Sequence, residues 1–215
     1  MRVHDLSRPL ETGMPVFPDD PPVSITPHTD FETDGYRVST LHLSTHSGTH
    51  LDAPSHTEPS GATIDDVPVE RFRFDAALVD CTDHDRREEI GRSVLPDPPD
   101  VDLVVFRTGW ARYWGKGTYL DHPFLSPAVA EWCGEHGYSV AIDCLNPDPT
   151  PSPNAGPTEP DGFPVHRAVL GAGNLIIENL TSLENLPRRF DLHALPLPIS
   201  DGDGAPARVV AVTDD

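Results

Sequence analysis

Hydrophobic positions in this chain fall into short runs separated by Gly, Pro and Asp. Seven runs have strand character: Val23–Thr26, Tyr36–Leu43, Ala76–Cys81, Leu103–Arg107, Ser139–Ile142, Leu175–Ile177 and Arg208–Val212. Most are rich in Val, Ile and Leu and are bounded by turn residues, the sequence signature of strands. Helical periodicity is rarer. Ser126-Pro127-Ala128 predicts a helix start, with Ser as the capping oxygen and Pro at the first helical position, where its missing N–H costs nothing. Val129, Trp132 and Cys133 give that helix an apolar face, and Gly137 closes it before the strand at Ser139. A shorter helix is predicted near Pro164, carrying His166, Val169 and Leu170. Strands outnumber helices and the two are mixed. The pattern therefore predicts an α/β fold whose large mixed sheet is curled towards a barrel and flanked by a few helices.

The 215 residues suit one domain over 1–215, long enough to bury a core. No repeat with a period of 20–50 residues is visible. Prolines concentrate in two places, Pro96–Pro99 and the run from Asn146 to Pro160. The second has the composition of a flexible linker. A surface loop or active-site lid fits it better, because residues of functional type lie on both sides of it.

Charge changes the picture of partners. The chain carries 35 acidic and 15 basic residues, a net charge of −20, and Lys116 is its only lysine. Such a surface repels nucleic acid and anionic membranes, so neither is expected as a partner. Dense carboxylates suit a protein adapted to high salt, where screening removes their mutual repulsion. No apolar run approaches the roughly 18 residues that span a bilayer. The N-terminus has no apolar signal core, so a cytoplasmic location is expected. Cys81, Cys133 and Cys144 form no CxxC pair and sit beside apolar residues, which predicts buried inert thiols.

The chemistry concentrates in His46-Ser-Gly-Thr-His50-Leu-Asp52-Ala-Pro-Ser-His56. The preceding stretch reads as a strand. If the chain stays extended through Gly48 and Thr49, His46, His50 and Asp52 project to one side. A helix is disfavoured there by Gly48, the β-branched Thr49 and Pro54. Two imidazoles and a carboxylate make a facial metal-binding set with open positions, as catalysis needs. The competing reading is a polar strand edge whose imidazoles are satisfied by hydrogen bonds.

The pattern HxGTHxDxPxH resembles the signature of the metal-dependent cyclase-like superfamily, which includes bacterial kynurenine formamidases and isatin hydrolases. The likeness extends along the chain: Asp5-Leu6-Ser7 with Gly13 to Pro18, Asp65 to Phe72, Arg107-Thr108-Gly109-Trp110, Gly171 to Leu180, and Leu195 to Pro198 followed by Gly204 to Arg208. The resemblance implies a swivelling β/β/α fold. It also implies that His46, His50 and Asp52 hold a first metal, with Asp52 bridging to a second completed by His166 and Glu178. His56 would be the acid–base residue. The cofactor would be Zn²⁺, one or two ions per chain, or Mn²⁺. The reaction would be hydrolysis of a carbon–nitrogen amide bond in a small aromatic substrate, an arylformamide or a cyclic amide such as isatin, by metal-activated water. The alternatives are a cyclase or lyase acting on a polyketide or hydroxy acid, and a non-catalytic metal-binding protein. A homodimer or homotetramer is implied as well.

Two departures touch the substrate side. Phe17 stands where formamidases place a substrate-stacking Trp; it keeps a stacking face and loses the indole N–H. Asp19 replaces the family's usual Gly. Of the remaining histidines, His42 shares the parity of the site, with a strand surface as the competing reading. His4, His28, His84, His122, His136 and His193 lack ligand neighbours and read as surface or packing residues. Asn179-Leu-Thr181 matches a glycosylation sequon incidentally. No Gly-x-Ser-x-Gly elbow exists, which disfavours a serine hydrolase.

Overall fold

The computed structural model describes residues 1–95 and 100–214, so the proline cluster Pro96–Pro99 lies outside the described residues. In chain order the regular elements are β1 (Arg2–Asp5), β2 (Ser24–Thr29), α1 (Phe31–Asp34), β3 (Val38–His42), β4 (His50–Asp52), β5 (Arg73–Asp80), β6 (Glu89–Ile90), β7 (Leu103–Arg107), β8 (Phe124–Leu125), α2 (Pro127–Glu135), β9 (Ser139–Ile142), α3 (Pro164–Gly171), β10 (Ile176–Glu178), β11 (Arg189–Pro196) and β12 (Gly204–Thr213).

Eight strands form one mixed sheet in the order β1-β12-β11-β5-β7-β9-β10-β4, and β12 also pairs with β4. That extra pairing closes seven strands into a ring, with β1 left outside it. The closure is possible because β12 is long. Gly204–Pro206 pair with β4, while Val210–Thr213 pair with β1 on the same side. The run β5-β7-β9-β10 is parallel, and the remaining pairings are antiparallel.

Two apolar clusters sit on the two faces of this wall. Leu51, Phe74, Leu103, Val105, Ala141, Ile177, Leu192 and Ala205 come from all seven ring strands and fill the inside. Val104, Phe106, Val140, Ile142 and Ile176 point outward and are covered by α2 and α3. Both faces of β7 and β9 are therefore apolar, as is usual for parallel strands flanked by helices. Ser126 caps α2 by accepting from the Val129 N–H at 3.2 Å, with Pro127 in the first turn.

One strand expectation changes. The strand expected over Tyr36–Leu43 is shorter and does not run on into the histidine run. It pairs with β2 in a separate two-stranded ribbon, and the chain turns between His42 and His50. The strands β1, β6, β8 and β11 were not read from the pattern, and β4 only as an extended stretch. The Pro-rich stretch fits the loop reading favoured over a linker. The strands on either side of it, β9 and β10, are hydrogen-bonded neighbours. Its first residues are buried, and farther along it is tied down by the Arg87–Glu159 ion pair and by Ser152 and Asn154, which donate to Asp121.

Candidate metal centre and catalytic cleft

His50 and Asp52 are two apart on β4, so they share a face of the wall. Glu178 lies directly opposite His50 across the β4–β10 pairing. All three are on the outer face, while Leu51 and Ile177 between them enter the ring interior. The helix α3 packs on that outer face and delivers His166. His46 arrives differently. It sits in the turn before β4, where Gly48 adopts φ +68°, a conformation that favours glycine. The expectation that an extended chain aligns residues 46, 50 and 52 is thus right for the last two and wrong for the first. The approach of His46 depends on Gly204, since a Cβ there would come within 2.9 Å of His46 Cε1 and 2.6 Å of the Leu51 carbonyl oxygen.

The geometry fixes which nitrogens face the cluster. His50 donates Nδ1–H to the Gly48 carbonyl at 2.9 Å, which turns Nε2 towards Asp52 Oδ1 at 3.2 Å and Glu178 Oε2 at 3.4 Å. His166 donates Nδ1–H to Asp148 at 2.7 Å, and its Nε2 stands 3.4 Å from both Asp52 Oδ2 and Glu178 Oε1. His46 places Nδ1 2.8 Å from Asp52 Oδ1 and Nε2 2.9 Å from Asp203 Oδ2. His56 is exposed and puts Nδ1 3.3 Å from the same Asp203 oxygen. Its ring centroid is 4.1 Å from that of His46.

Burial alone would push these imidazoles towards the neutral form, but the carboxylates outweigh it. His50 is raised by Asp52, and His166 well above its usual range by Asp148 and Asp52. His46 is pushed up to about 10 against its burial by Asp203 and Asp52. Burial would raise Asp52, yet the imidazoles around it hold it well below the ordinary carboxylate range. The cluster favours positive charge at its centre.

Whether a metal fits is decided by unpaired atoms. His50 Nε2, Asp52 Oδ2 and Glu178 Oε1 are buried and have no hydrogen-bond partner. An orphaned buried polar atom costs about 1–3 kcal/mol. Three at one point, all of ligand type, are what a cation would satisfy. Among the described residues three donor groups have their ligand-type atoms within 4.8 Å of one another; two converge there, His46–His50–Asp52 and Asp52–His166–Glu178, and the third, His46–His56–Asp203, shares only His46 with them. The anchoring of His50 and His166 through Nδ1 is the arrangement that orients imidazole ligands elsewhere.

The cluster forms the floor of a cleft of about 420 Å³, also lined by Phe17, Phe163, Asn146 and Arg167. Phe17 opens a turn in which Asp20 N–H donates to the Phe17 carbonyl at 3.0 Å. Asp19 takes φ +74° in it, which explains why glycine suits that position. Three residues escaped the sequence reading: Asp148, Asp203 and Phe163. The partners of the two carboxylates lie up to 157 residues away in sequence, so no local spacing marks them.

His42 is exposed on β3, so the strand-surface reading holds and its link to the site does not. His122 is a packed residue held by Pro123 and Thr150. All three cysteines are free and buried, and burial pushes Cys81 and Cys133 up to about 12, which leaves them unreactive. Asn179 is buried and accepts from the Tyr119 hydroxyl at 2.9 Å, so its sequon is not presented. Among the described residues no helix is long and apolar enough to cross a membrane.

A mixed sheet closed on itself, with helices outside the wall and an imidazole–carboxylate cluster beneath them, is an enzyme-type α/β barrel. The particular family follows from comparison. The family model described as "Putative cyclase" matches residues 4–149. A kynurenine formamidase of Salinibacter ruber is 30% identical, over 98% of this chain and 97% of its own. An isatin hydrolase bound to the product analogue thioisatinate superposes with a TM-score of 0.87 at 23% identity, covering 99% of this chain and 92% of that one. The structure described as a "predicted metal-dependent hydrolase" from Bacillus stearothermophilus gives 0.77 at 26% identity, covering 98% and 97%. The chain belongs to the cyclase family.

Proposed function

We propose that this chain is a metal-dependent amidohydrolase that cleaves the carbon–nitrogen bond of a small aromatic amide, an arylformamide of the N-formylkynurenine kind or a cyclic amide such as isatin. The observation that carries the reading is the convergence of three orphaned buried atoms, on His50, Asp52 and Glu178, with His166 Nε2 in a chain whose relatives include kynurenine formamidases. His46, His50 and Asp52 would hold one ion, and Asp52, His166 and Glu178 would hold a second. Nitrogen and carboxylate donors suit Zn²⁺ and equally Mn²⁺. When bound, such an ion supplies Lewis acidity to water and to the amide carbonyl.

The chain's own groups do the rest. His56 is not needed for either donor set and stands at the rim with Nδ1 held by Asp203, so Nε2 is the nitrogen for proton transfer to the leaving amine. Phe17 offers a ring face to the substrate.

Three further features belong to this reading. The ribbon β2–β3 exposes Val38 and Leu41, and a two-stranded ribbon alone is marginal in water; this supports a homodimer or homotetramer. The acidic surface, net charge −20, supports function at high salt. The Pro-rich loop, tied down as it is, acts as a fixed wall and not a moving lid.

Assay of N-formylkynurenine and isatin with and without chelator tests the reading. Metal-restored turnover is expected, and His56→Ala should lower it about 10²–10⁴-fold while keeping the metal. No metal-dependent turnover of any arylformamide or of isatin overturns it.

A further inference from the structure

Six described residues other than glycine adopt positive φ: Asp19, Arg87, Phe163, Asn179, Ser182 and Asp201. Phe163 is the only apolar one, with φ 59° and ψ 54°. A left-handed backbone crowds any Cβ, and an aromatic side chain gains no local hydrogen bond in compensation. Packing does not repay the strain either, because Phe163 is 41% exposed.

The surrounding structure nevertheless enforces the conformation. Gly162 before it is also left-handed, at φ +77°. Arg167 grips both residues: its Nε donates to the Gly162 carbonyl and its backbone N–H to the Phe163 carbonyl, each at 3.1 Å. Pro164 follows, and Asp148 accepts from the Val165 and His166 N–H groups at 2.8 and 3.1 Å. Glycine would hold this turn without strain, so what the strain preserves is the ring. That ring stands 6.0 Å from Phe17 with its plane tilted by 57°, and 5.9 Å from His166, edge-on. Two aromatic faces thus form a corner directly above the His46–His56–His166 cluster, and both line the cleft. Strain concentrated beside reactive groups is a mark of function.

We propose that Phe163 is a specificity-determining residue, the second aromatic wall of the substrate site, which with Phe17 selects a planar aryl amide over an aliphatic one. The inference rests on the amidohydrolase reading above. An aryl ring stacked on one face and met edge-on by the other is the favoured arrangement of aromatic groups.

The test uses the metal-loaded full chain and the variants Phe163→Leu, Phe163→Gly and Phe163→Tyr. Formanilide is the substrate probe, and 2-aminobenzoate, followed by its own fluorescence, is the binding probe. Leu and Gly should raise KM for formanilide about tenfold, with kcat within about twofold, and weaken 2-aminobenzoate in parallel. Tyr should restore both. The Gly variant should melt at or above the parent temperature, because its backbone relaxes. Unchanged KM and 2-aminobenzoate affinity in the Leu variant overturn the proposal, and so does a Gly variant that melts well below the parent. If the parent hydrolyses no arylformamide while 2-aminobenzoate still weakens on Phe163→Leu, the hydrolase reading fails and the aromatic wall stands.

Discussion

His122 and His166 are both buried imidazoles, both donate through Nδ1, and both are held by the same Pro-rich loop. Their electrostatics are opposite. His122 donates to the Pro123 carbonyl, its Nε2 meets the Thr150 hydroxyl at 2.7 Å, and burial lowers it to about 4. His166 donates to Asp148 and turns Nε2 to Asp52 and Glu178, and these carboxylates raise it far above the ordinary range despite equal burial. Depth does not separate them; what faces the two ring nitrogens does. A backbone carbonyl and a hydroxyl make a packing residue, whereas Asp148 behind the ring and two carboxylates before it make a place for a cation.

The comparison can be broken from either side. The larger effect should come from His122. Its folded pKa of about 4 lies below the unfolded value of about 6.5. As pH falls below 6.5 the unfolded chain binds the proton and the folded one does not. Stability from this group is therefore complete above about pH 6.5 and is lost progressively down to about pH 4, by up to about 3 kcal/mol. His46, His50 and His166, raised by their carboxylates, gain stability as pH falls through the same window, so the loss is read as a difference: in denaturant titrations the parent should lose up to about 3 kcal/mol relative to His122→Gln between about pH 6.5 and pH 4. The smaller effect belongs to Asp148. Asp148→Asn removes the charge behind His166 while keeping its shape, and should weaken metal binding about 10–100-fold, read by chelator competition, with the fold intact. Equal affinity in that variant would mean that Asp148 serves only to cap α3.

Legibility in the sequence followed the same physics. β7 and β9 are apolar on both faces and were read directly, while β5 was read only from Ala76 because Arg73 and Asp75 break its apolar run. β4 was anticipated only as an extended stretch, because two of its three residues are spent on chemistry and Leu51 is its one apolar residue. β11 was missed although it carries a strand pattern: Phe190, Leu192 and Ala194 face inward and alternate with Asp191 and His193 on the other face. His50 and Asp52 were paired correctly by the two-residue period of a strand, whereas His46 reached the site through a turn that no period describes. Its support, Asp203, and that of His166, Asp148, depend on long-range closure of the ring. The strained Phe163 could not be read at all, since Gly-Phe-Pro specifies a turn without specifying φ.

The most direct test is the metal content of protein purified without chelator, measured by elemental analysis for the parent and for Asp52→Asn, with folding checked by circular dichroism. Asp52 belongs to both donor sets, so the account predicts one or two divalent ions per chain in the parent and close to none in the folded variant. A folded parent without a stoichiometric ion, or a variant that keeps the full complement, would contradict it.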